Sequence, residues 1–212
     1  MKKILMLLLA LVTLMPTTTY AQSKQLEKER KKEYKAKMKT YKKEGWKLYA
    51  SSRSLEVALL THYEKLNTLG ENAYELVGVA SRFKSKSTGH QIAINDACRT
   101  YAQSAGSHVK GRVISDIAAD GVSTSGEFDH FYAAYERSVE AEIKGEMQES
   151  FSVIREIAPG EYEMETYFVI NQDAATRARI RAYENALKES EAAQKYAQKV
   201  SDFIKEGDFK NE

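Results

Sequence analysis

The stretch that decides the fold is MQESFSVIREIAPGEYEMETYFVI, residues 147–170. Its polar and apolar residues alternate with a period of two on both sides of Ala158-Pro159-Gly160, which is a composition typical of a tight turn. After the turn, Tyr, Met, Thr, Phe and Ile alternate with three glutamates, so one face is expected to be buried and the other solvated. The segment therefore predicts a β-hairpin in an antiparallel sheet with helices packed on one face.

Helical spacing dominates the flanking sequence. Apolar residues recur every three or four positions in four segments, which are expected to be helices: residues 55–69, 87–106, 128–143 and 173–206. Shorter alternations predict strands at residues 44–50, 74–85 and 109–118, with Val77, Val79 and Phe83 on one side of the second. Residues 120–126, rich in Gly, Ser and Thr, are expected to form a loop. The predicted fold class is α+β, with a sheet of about four to five strands and long N- and C-terminal helices.

The last helix is expected to start at an Asp173 cap and to continue to Glu206. At 1.5 Å per residue it would be roughly 50 Å long, which exceeds what a small domain can cover. Its far end would need a partner. The sequence leaves two alternatives open: the helix predicted for residues 22–44, or a second copy of the chain, which would make a homo-oligomer through the terminal helices.

The first 21 residues have the form of a secretory signal peptide. Lys2 and Lys3 precede an uncharged apolar run over residues 4–15, and Thr19-Tyr20-Ala21 supplies the small residues of a cleavage site. The run is about twelve residues, shorter than the roughly twenty of a spanning helix. We expect cleavage after Ala21 and a periplasmic or otherwise exported product. It would not be lipidated, because the single cysteine is Cys98.

The expected mature chain is neutral overall but asymmetric in charge. The full sequence has 32 Lys and Arg against 30 Asp and Glu, and the signal peptide holds two of the lysines. Residues 22–44 carry ten basic and four acidic residues, whereas residues 45–212 carry 20 basic and 26 acidic residues. A neutral exported chain argues against a nucleic-acid partner.

Two interpretations apply to residues 22–44, which are expected to form a solvated helix ending near Gly45. The helix could serve solubility or dock on the acidic part of the same chain. Alternatively, it could contact an anionic membrane surface, where each basic side chain gains roughly 1 kcal/mol. The residues expected to make that contact are Lys31, Lys32, Lys35, Lys39, Lys42 and Lys43.

The sequence has little that indicates catalysis. The GxSxG, HExxH, GxxxxGK[ST] and GxGxxG motifs are absent, and no two of the four histidines are spaced as a helical metal pair. Cys98 lies in an apolar helical stripe, where a thiol is usually an inert core residue. Ser81 and Lys84 match SxxK but lack the companion motifs. We therefore predict no catalytic residue, no metal and no cofactor.

Tyrosine is abundant, with 13 residues, and tyrosine favours binding surfaces because it combines a large apolar ring with a polar tip. Tyr132, Tyr135, Tyr162 and Tyr167 are the candidates to line a groove for an envelope protein or glycan. The alternative interpretation is that these side chains complete the core between helices and sheet.

The sequence resembles the twenty-kilodalton bacterial lipoprotein family and its exported relatives. The resemblance is carried by residues 91–109, Ile143-Lys144-Gly145, residues 150–156 and residues 162–170 leading into an Ala- and Arg-rich helix. It covers roughly residues 73–190 and implies a small α+β domain of the cell envelope without catalytic residues. The sequence departs from the lipidated members because it lacks the cysteine that carries the lipid.

The expected organisation is a signal peptide (1–21), a basic helix (22–44), an α+β lipoprotein-like domain (45–190) and a C-terminal helical extension and tail (191–212). The functional hypothesis is an exported envelope protein that acts as a non-enzymatic binding or assembly module. The alternative is an envelope hydrolase with an unrecognised site. A deep pocket with convergent His, Asp, Glu or Ser side chains would favour the hydrolase.

Overall fold

A computed structural model describes the backbone of residues 17–117 and 128–206. Within these ranges the chain forms seven α-helices and four strands, and the predicted α+β class is confirmed. Their bounds are α1 (Thr17–Glu44), β1 (Lys47–Leu48), α2 (Leu55–Leu69), β2 (Ala73–Phe83), α3 (Lys86–Arg112), α4 (Asp129–Glu146), β3 (Gln148–Ala158), β4 (Glu161–Asn171), α5 (Gln172–Ala186), α6 (Glu191–Lys195) and α7 (Ala197–Glu206). The loop predicted at 120–126 and most of the predicted signal peptide lie outside the described residues.

The chain divides into two compact units, Met1–Lys43 and Glu44–Glu212. The described part of the first unit is the helix α1, in agreement with the helix predicted over residues 22–44. The cleavage point expected after Ala21 lies within this helix. The second unit contains the sheet and the remaining helices.

The sheet is antiparallel and has the strand order β1-β3-β4-β2. Its centre is the predicted hairpin, in which β3 and β4 pair along their length and are joined through Pro159 and Gly160. The strand β1 contributes only two residues, which pair with Ile154 and Val153 of β3. The strand β2 forms the other edge of the sheet and pairs with β4.

The strand β2 has an irregularity that changes which residues share a face. The prediction that Val77, Val79 and Phe83 lie on one side is wrong. The register against β4 shifts between Ala80 and Phe83, and Arg82 has a φ of +52°. The shift brings Phe83 onto the buried face with Ala80, whereas Val79 remains 41% exposed. A β-bulge produces this effect because it inserts a residue that the two-residue alternation does not count.

The helix α3 is longer than predicted. We expected it to end at Gly106 and a strand to follow over residues 109–118, but the helix continues to Arg112 and into a π-helical turn, Val113–Ile117. A Cβ atom at Gly106 would lie 2.3 Å from Glu136 Oε1 of α4. The glycine therefore leaves room for the side chain of Glu136 and does not end α3. The helix buries Val109.

The C-terminal segment is helical but bent, which corrects the prediction of one helix from Asp173 to Glu206. The helix α5 ends at Ala186, and the hydroxyl of Ser190 accepts a hydrogen bond from the backbone N–H of Ala193 at the start of α6. The hydroxyl of Tyr183 donates to the carbonyl of Ala197 at 2.6 Å. The bend lets α7 bury its apolar residues in the same core as α3, α4 and α5.

The helix α3 lies on the sheet face that Leu76, Ala80 and Phe168 also share. A Cβ atom at Gly78 of β2 would lie 1.8 Å from the carbonyl oxygen of Ala93, so the two backbones are in direct contact. The small side chains of Ala93 and Ala97 are fully buried at this point. The absence of a side chain at Gly78 therefore sets the distance between α3 and the sheet.

The shorter helix α2 lies on the opposite face of the sheet. The sequence predicted helices on one face only, so α2 is an additional layer. The ring of His62 is 5.4 Å from Phe151 and 5.8 Å from Tyr167, both of which point away from α3. His62 is 1% exposed, and its Nε2 lies 2.6 Å from Glu75 Oε2. Part of the sheet is thus buried on both faces.

We expect Gly78→Ala to lower the free energy of unfolding by about 3 kcal/mol, because the added methyl group overlaps the backbone of α3. The matched control is Gly111→Ala, which adds the same methyl group where no atom lies within 4 Å. That variant should gain about 0.5–1 kcal/mol, since alanine favours helix over glycine. Urea unfolding measures both values. Equal effects of the two substitutions would contradict the close contact.

Candidate functional site

The helix α1 presents a face made of lysines. At 100° per residue, eight lysines lie within an arc of about 120° and along about 28 Å of the helix. All eight are exposed: Lys24, Lys28, Lys31, Lys32, Lys35, Lys39, Lys42 and Lys43. We call this set the lysine face. The other two basic residues, Arg30 and Lys37, lie on the opposite side of the helix and are only partly exposed.

The acidic residues of α1 lie outside the lysine face. Glu27, Glu29, Glu33 and Glu44 are each at least about 40° beyond the edge of the arc, and Glu29 pairs with Lys32 across one helical turn at 2.8 Å. The structure brings together all six lysines that the sequence predicted. It adds Lys24 and Lys28, which the helical spacing of the sequence would have identified.

Two of the four candidate tyrosines are in the core of the helical layer. Tyr135 of α4 is fully buried and stacks on Phe131, with ring centroids 5.9 Å apart. Burial raises the pKa of Tyr132 to about 12, and the negative charge of Asp129 adds to the effect. Burial also raises the pKa of Tyr135. Neither ring forms part of an exposed groove.

The other two tyrosines lie elsewhere in the domain. Tyr167 of β4 stacks on Phe151 with ring centroids 4.5 Å apart, and its hydroxyl donates to Glu165 at 2.6 Å. Tyr162 is partly exposed near the hairpin turn, with the ammonium of Lys86 4.8 Å from its ring centroid. The four tyrosines therefore do not form one surface, and only Tyr162 is available to a partner.

A polar cleft of about 250 Å³ lies where β1 and the loop after it meet β3 and the first turns of α3. Polar and aromatic residues in its wall include Tyr49, Arg53, His90, Glu149, Ser150 and Ser152. The cleft was not predicted from the sequence. Its residues come from three separate segments, and no motif joins them.

The carboxylate of Glu149 is at the centre of the hydrogen bonds in the cleft. Its Oε2 lies 3.0 Å from Nε2 of His90, and its Oε1 accepts a hydrogen bond from the hydroxyl of Ser152 at 2.6 Å. Ser152 is 2% exposed and also contacts Thr166 at 3.1 Å. A Ser-His-Asp type of triad needs the histidine between the serine and the acid. Here the acid is in the middle, so this arrangement does not activate Ser152.

Other candidate chemistry is limited in the part of the chain that the structure describes. Cys98 is 2% exposed, and burial raises the pKa of its thiol, which disfavours the reactive thiolate. Within residues 17–117 and 128–206, no group of three or more His, Cys, Asp or Glu side chains could hold a metal ion. None of the helices in these ranges is both long and apolar enough to cross a membrane.

Comparison with known proteins gives no match: no family model fits the sequence, and no curated protein or solved structure aligns with it. Any function is therefore inferred from the geometry of the lysine face and of the cleft.

The contribution of the Tyr135 hydroxyl to stability can be compared with that of Tyr101. The hydroxyl of Tyr101 accepts a hydrogen bond from the buried guanidinium of Arg179 at 2.6 Å. Among the described residues the Tyr135 hydroxyl has no hydrogen-bond partner. We expect Tyr135→Phe to raise the free energy of unfolding by about 1 kcal/mol and Tyr101→Phe to lower it by about 2 kcal/mol. Chemical denaturation gives both values. A loss in Tyr135→Phe as large as that in Tyr101→Phe would contradict this assignment.

Proposed function

We propose that this protein is an exported, non-enzymatic binding module of the cell envelope, and that the lysine face of α1 attaches it to an anionic membrane surface. The observation that carries the proposal is the alignment of eight exposed lysines on one side of a single helix. A solvated helix that served only solubility would have no reason to separate its basic and acidic residues by face.

The affinity for an anionic membrane depends on how many lysines lie close to the lipid. Each lysine near acidic lipid contributes about 1 kcal/mol, and the attraction fades beyond about 8 Å at physiological salt. A straight helix lying flat can bring several of the eight lysines within that distance. Four such contacts correspond to a dissociation constant of about 1 mM and eight to about 1 μM. The attachment is therefore reversible and sensitive to salt.

The signal-like N-terminus and the resemblance to the twenty-kilodalton lipoprotein family support an envelope location. Members of that family with a lipidated cysteine are held by their lipid, and this chain has no cysteine near its N-terminus. In our proposal the lysine face replaces the lipid as the attachment, leaving the α+β domain to bind an envelope protein or glycan. The partly exposed Tyr162 is the remaining aromatic candidate for that contact.

A homo-oligomer through the terminal helices is the alternative assembly. The apolar side chains of the C-terminal segment that would have formed it, including Val200 and Phe203 of α7, are buried within the second unit of the chain itself. A hydrolase is the alternative activity, but in the described cleft the histidine and the serine around Glu149 each contact the carboxylate and not one another. Both observations favour the binding module.

The proposal can be tested with a pair of charge-matched double variants in the mature chain starting at Gln22. Lys31→Gln with Lys35→Gln removes two charges from the lysine face, whereas Arg30→Gln with Lys37→Gln removes two from the opposite side. We expect the first pair to weaken binding to phosphatidylglycerol-containing vesicles about thirtyfold, which corresponds to about 2 kcal/mol. The second pair should weaken it less than about threefold.

Co-sedimentation with vesicles of 30% phosphatidylglycerol and 70% phosphatidylcholine measures the effect, and pure phosphatidylcholine vesicles provide the uncharged control. Raising the salt to 0.5 M should release the protein, because screening shortens the range of the attraction. Equal losses in the two double variants would refute a specific lysine face. Binding that persists at high salt would also refute it.

A further inference from the structure

We propose that the cleft between β1, β3 and α3 binds a small organic acid through its carboxylate. The ligand class is a molecule of about ten non-hydrogen atoms, because the cleft of about 250 Å³ is slightly smaller than the usual range of ligand sites. This inference is independent of the lysine face, because every residue that carries it lies in the second unit.

The first observation is a buried hydroxyl that has no partner. Ser150 sits in a β-bulge, because the register between β3 and β4 pairs Glu149 with Phe168 and Phe151 with Tyr167 and skips the residue between them. Ser150 is one of the residues in the cleft wall and is 8% exposed, and its buried Oγ has no hydrogen-bond partner within the described ranges. An unsatisfied buried hydroxyl is costly, and a ligand oxygen at this position would satisfy it.

The second observation is a strained backbone in the same wall. Ala50 has a φ of +48°, a region that residues with a Cβ atom rarely adopt. Its neighbour Tyr49 is held by a backbone hydrogen bond to the carbonyl of Ser152 at 2.9 Å. The bulge at Ser150 and the turn at Ala50 therefore both depart from regular geometry, and both residues line the cleft. Such departures cluster at binding sites because they aim groups that a regular strand would not.

The third observation is the balance of donors and acceptors. Arg53 is exposed, its Nη2 lies 3.5 Å from the carbonyl oxygen of Ser150, and a guanidinium has further N–H groups for a ligand. The acid in the cleft, Glu149, already contacts His90 and Ser152. The groups left for a ligand are thus mainly donors, and a planar guanidinium matches a carboxylate especially well.

An aromatic ring and a carboxylate in the cleft wall limit the shape and charge of the ligand. The ring of Tyr49, 5.3 Å from that of His90, provides an apolar wall for the body of a small molecule. The side chain of Glu149 is 38% exposed at the cleft, so a doubly charged phosphate would meet more repulsion than a singly charged carboxylate. The geometry therefore favours a monoanionic acid over a phosphate or a neutral polar molecule.

The experiment uses the mature protein and two matched ligand pairs, each differing in charge: glucuronate with glucose, and N-acetylalanine with N-acetylalaninamide. Inorganic phosphate is the fifth probe. Chemical-shift changes or calorimetry at up to about 20 mM give the dissociation constants. We expect at least one acid to bind at least about tenfold more tightly than its neutral partner and than phosphate. Failure of both acids to bind, or equal binding of a neutral partner or phosphate, would overturn the assignment.

Three variants locate the site with the acid that binds. Arg53→Gln should raise its dissociation constant at least about tenfold. The control Arg99→Gln removes the same charge from α3, where Arg99 pairs with Asp96 and lies about 13 Å along the helix from His90. It should change the constant less than twofold. Equal weakening by the two substitutions would refute the site.

Ser150→Ala separates a binding role from a structural one. Removing an unpartnered buried hydroxyl should leave the melting temperature unchanged or raise it, while a ligand that uses the hydroxyl should bind about fivefold more weakly. A lower melting temperature with unchanged ligand binding would show that Ser150 serves only the fold, and would overturn its assigned role. The vesicle experiment is unaffected by any of these results, so the two proposals can fail separately.

Discussion

The contact between α3 and β2 at Gly78 is the constraint on which the second unit depends. A carbonyl oxygen of the helix lies where a side chain of the strand would be, so only a glycine permits this distance. The first half of α3 covers the sheet from this point, and its second half packs against α4, α5 and α7 in one continuous core. A change at Gly78 would therefore disturb the helical layer and the sheet together, because protein interiors leave little room for adjustment.

The same contact has consequences for the cleft. His90 lies one helical turn before Ala93, the residue that rests on Gly78, so the position of α3 on the sheet also sets the position of the imidazole near Glu149. The bulge in β3 supplies the opposite wall. The lysine face of α1 depends on none of these contacts. It needs only a helix and a spacing of three and four, which makes it a local property of the sequence.

Features with local causes were predictable from the sequence, whereas features with non-local causes were not. The hairpin and α4 were predictable because alternation, turn residues and helical spacing act within a few residues. The prediction of a strand at residues 109–118 was wrong because a glycine at position 106 is typical of a helix end. The glycine instead leaves room for the side chain of Glu136, which belongs to another helix. The set of β2 residues that share a face was mispredicted because an alternation of two residues does not reveal a bulge. The continuous C-terminal helix was mispredicted because helical spacing does not show where a chain folds back.

The sequence by itself determined the α+β class, the central hairpin and the six predicted lysines that share one helical face, since periodicity and charge spacing are local. Only the tertiary structure decided that three of the four candidate tyrosines are buried and that α7 completes the core. It also decided that Arg53, His90 and Ser150 meet in one cleft. The physical reason is that burial and convergence depend on residues far apart in the chain, and no single segment contains that information.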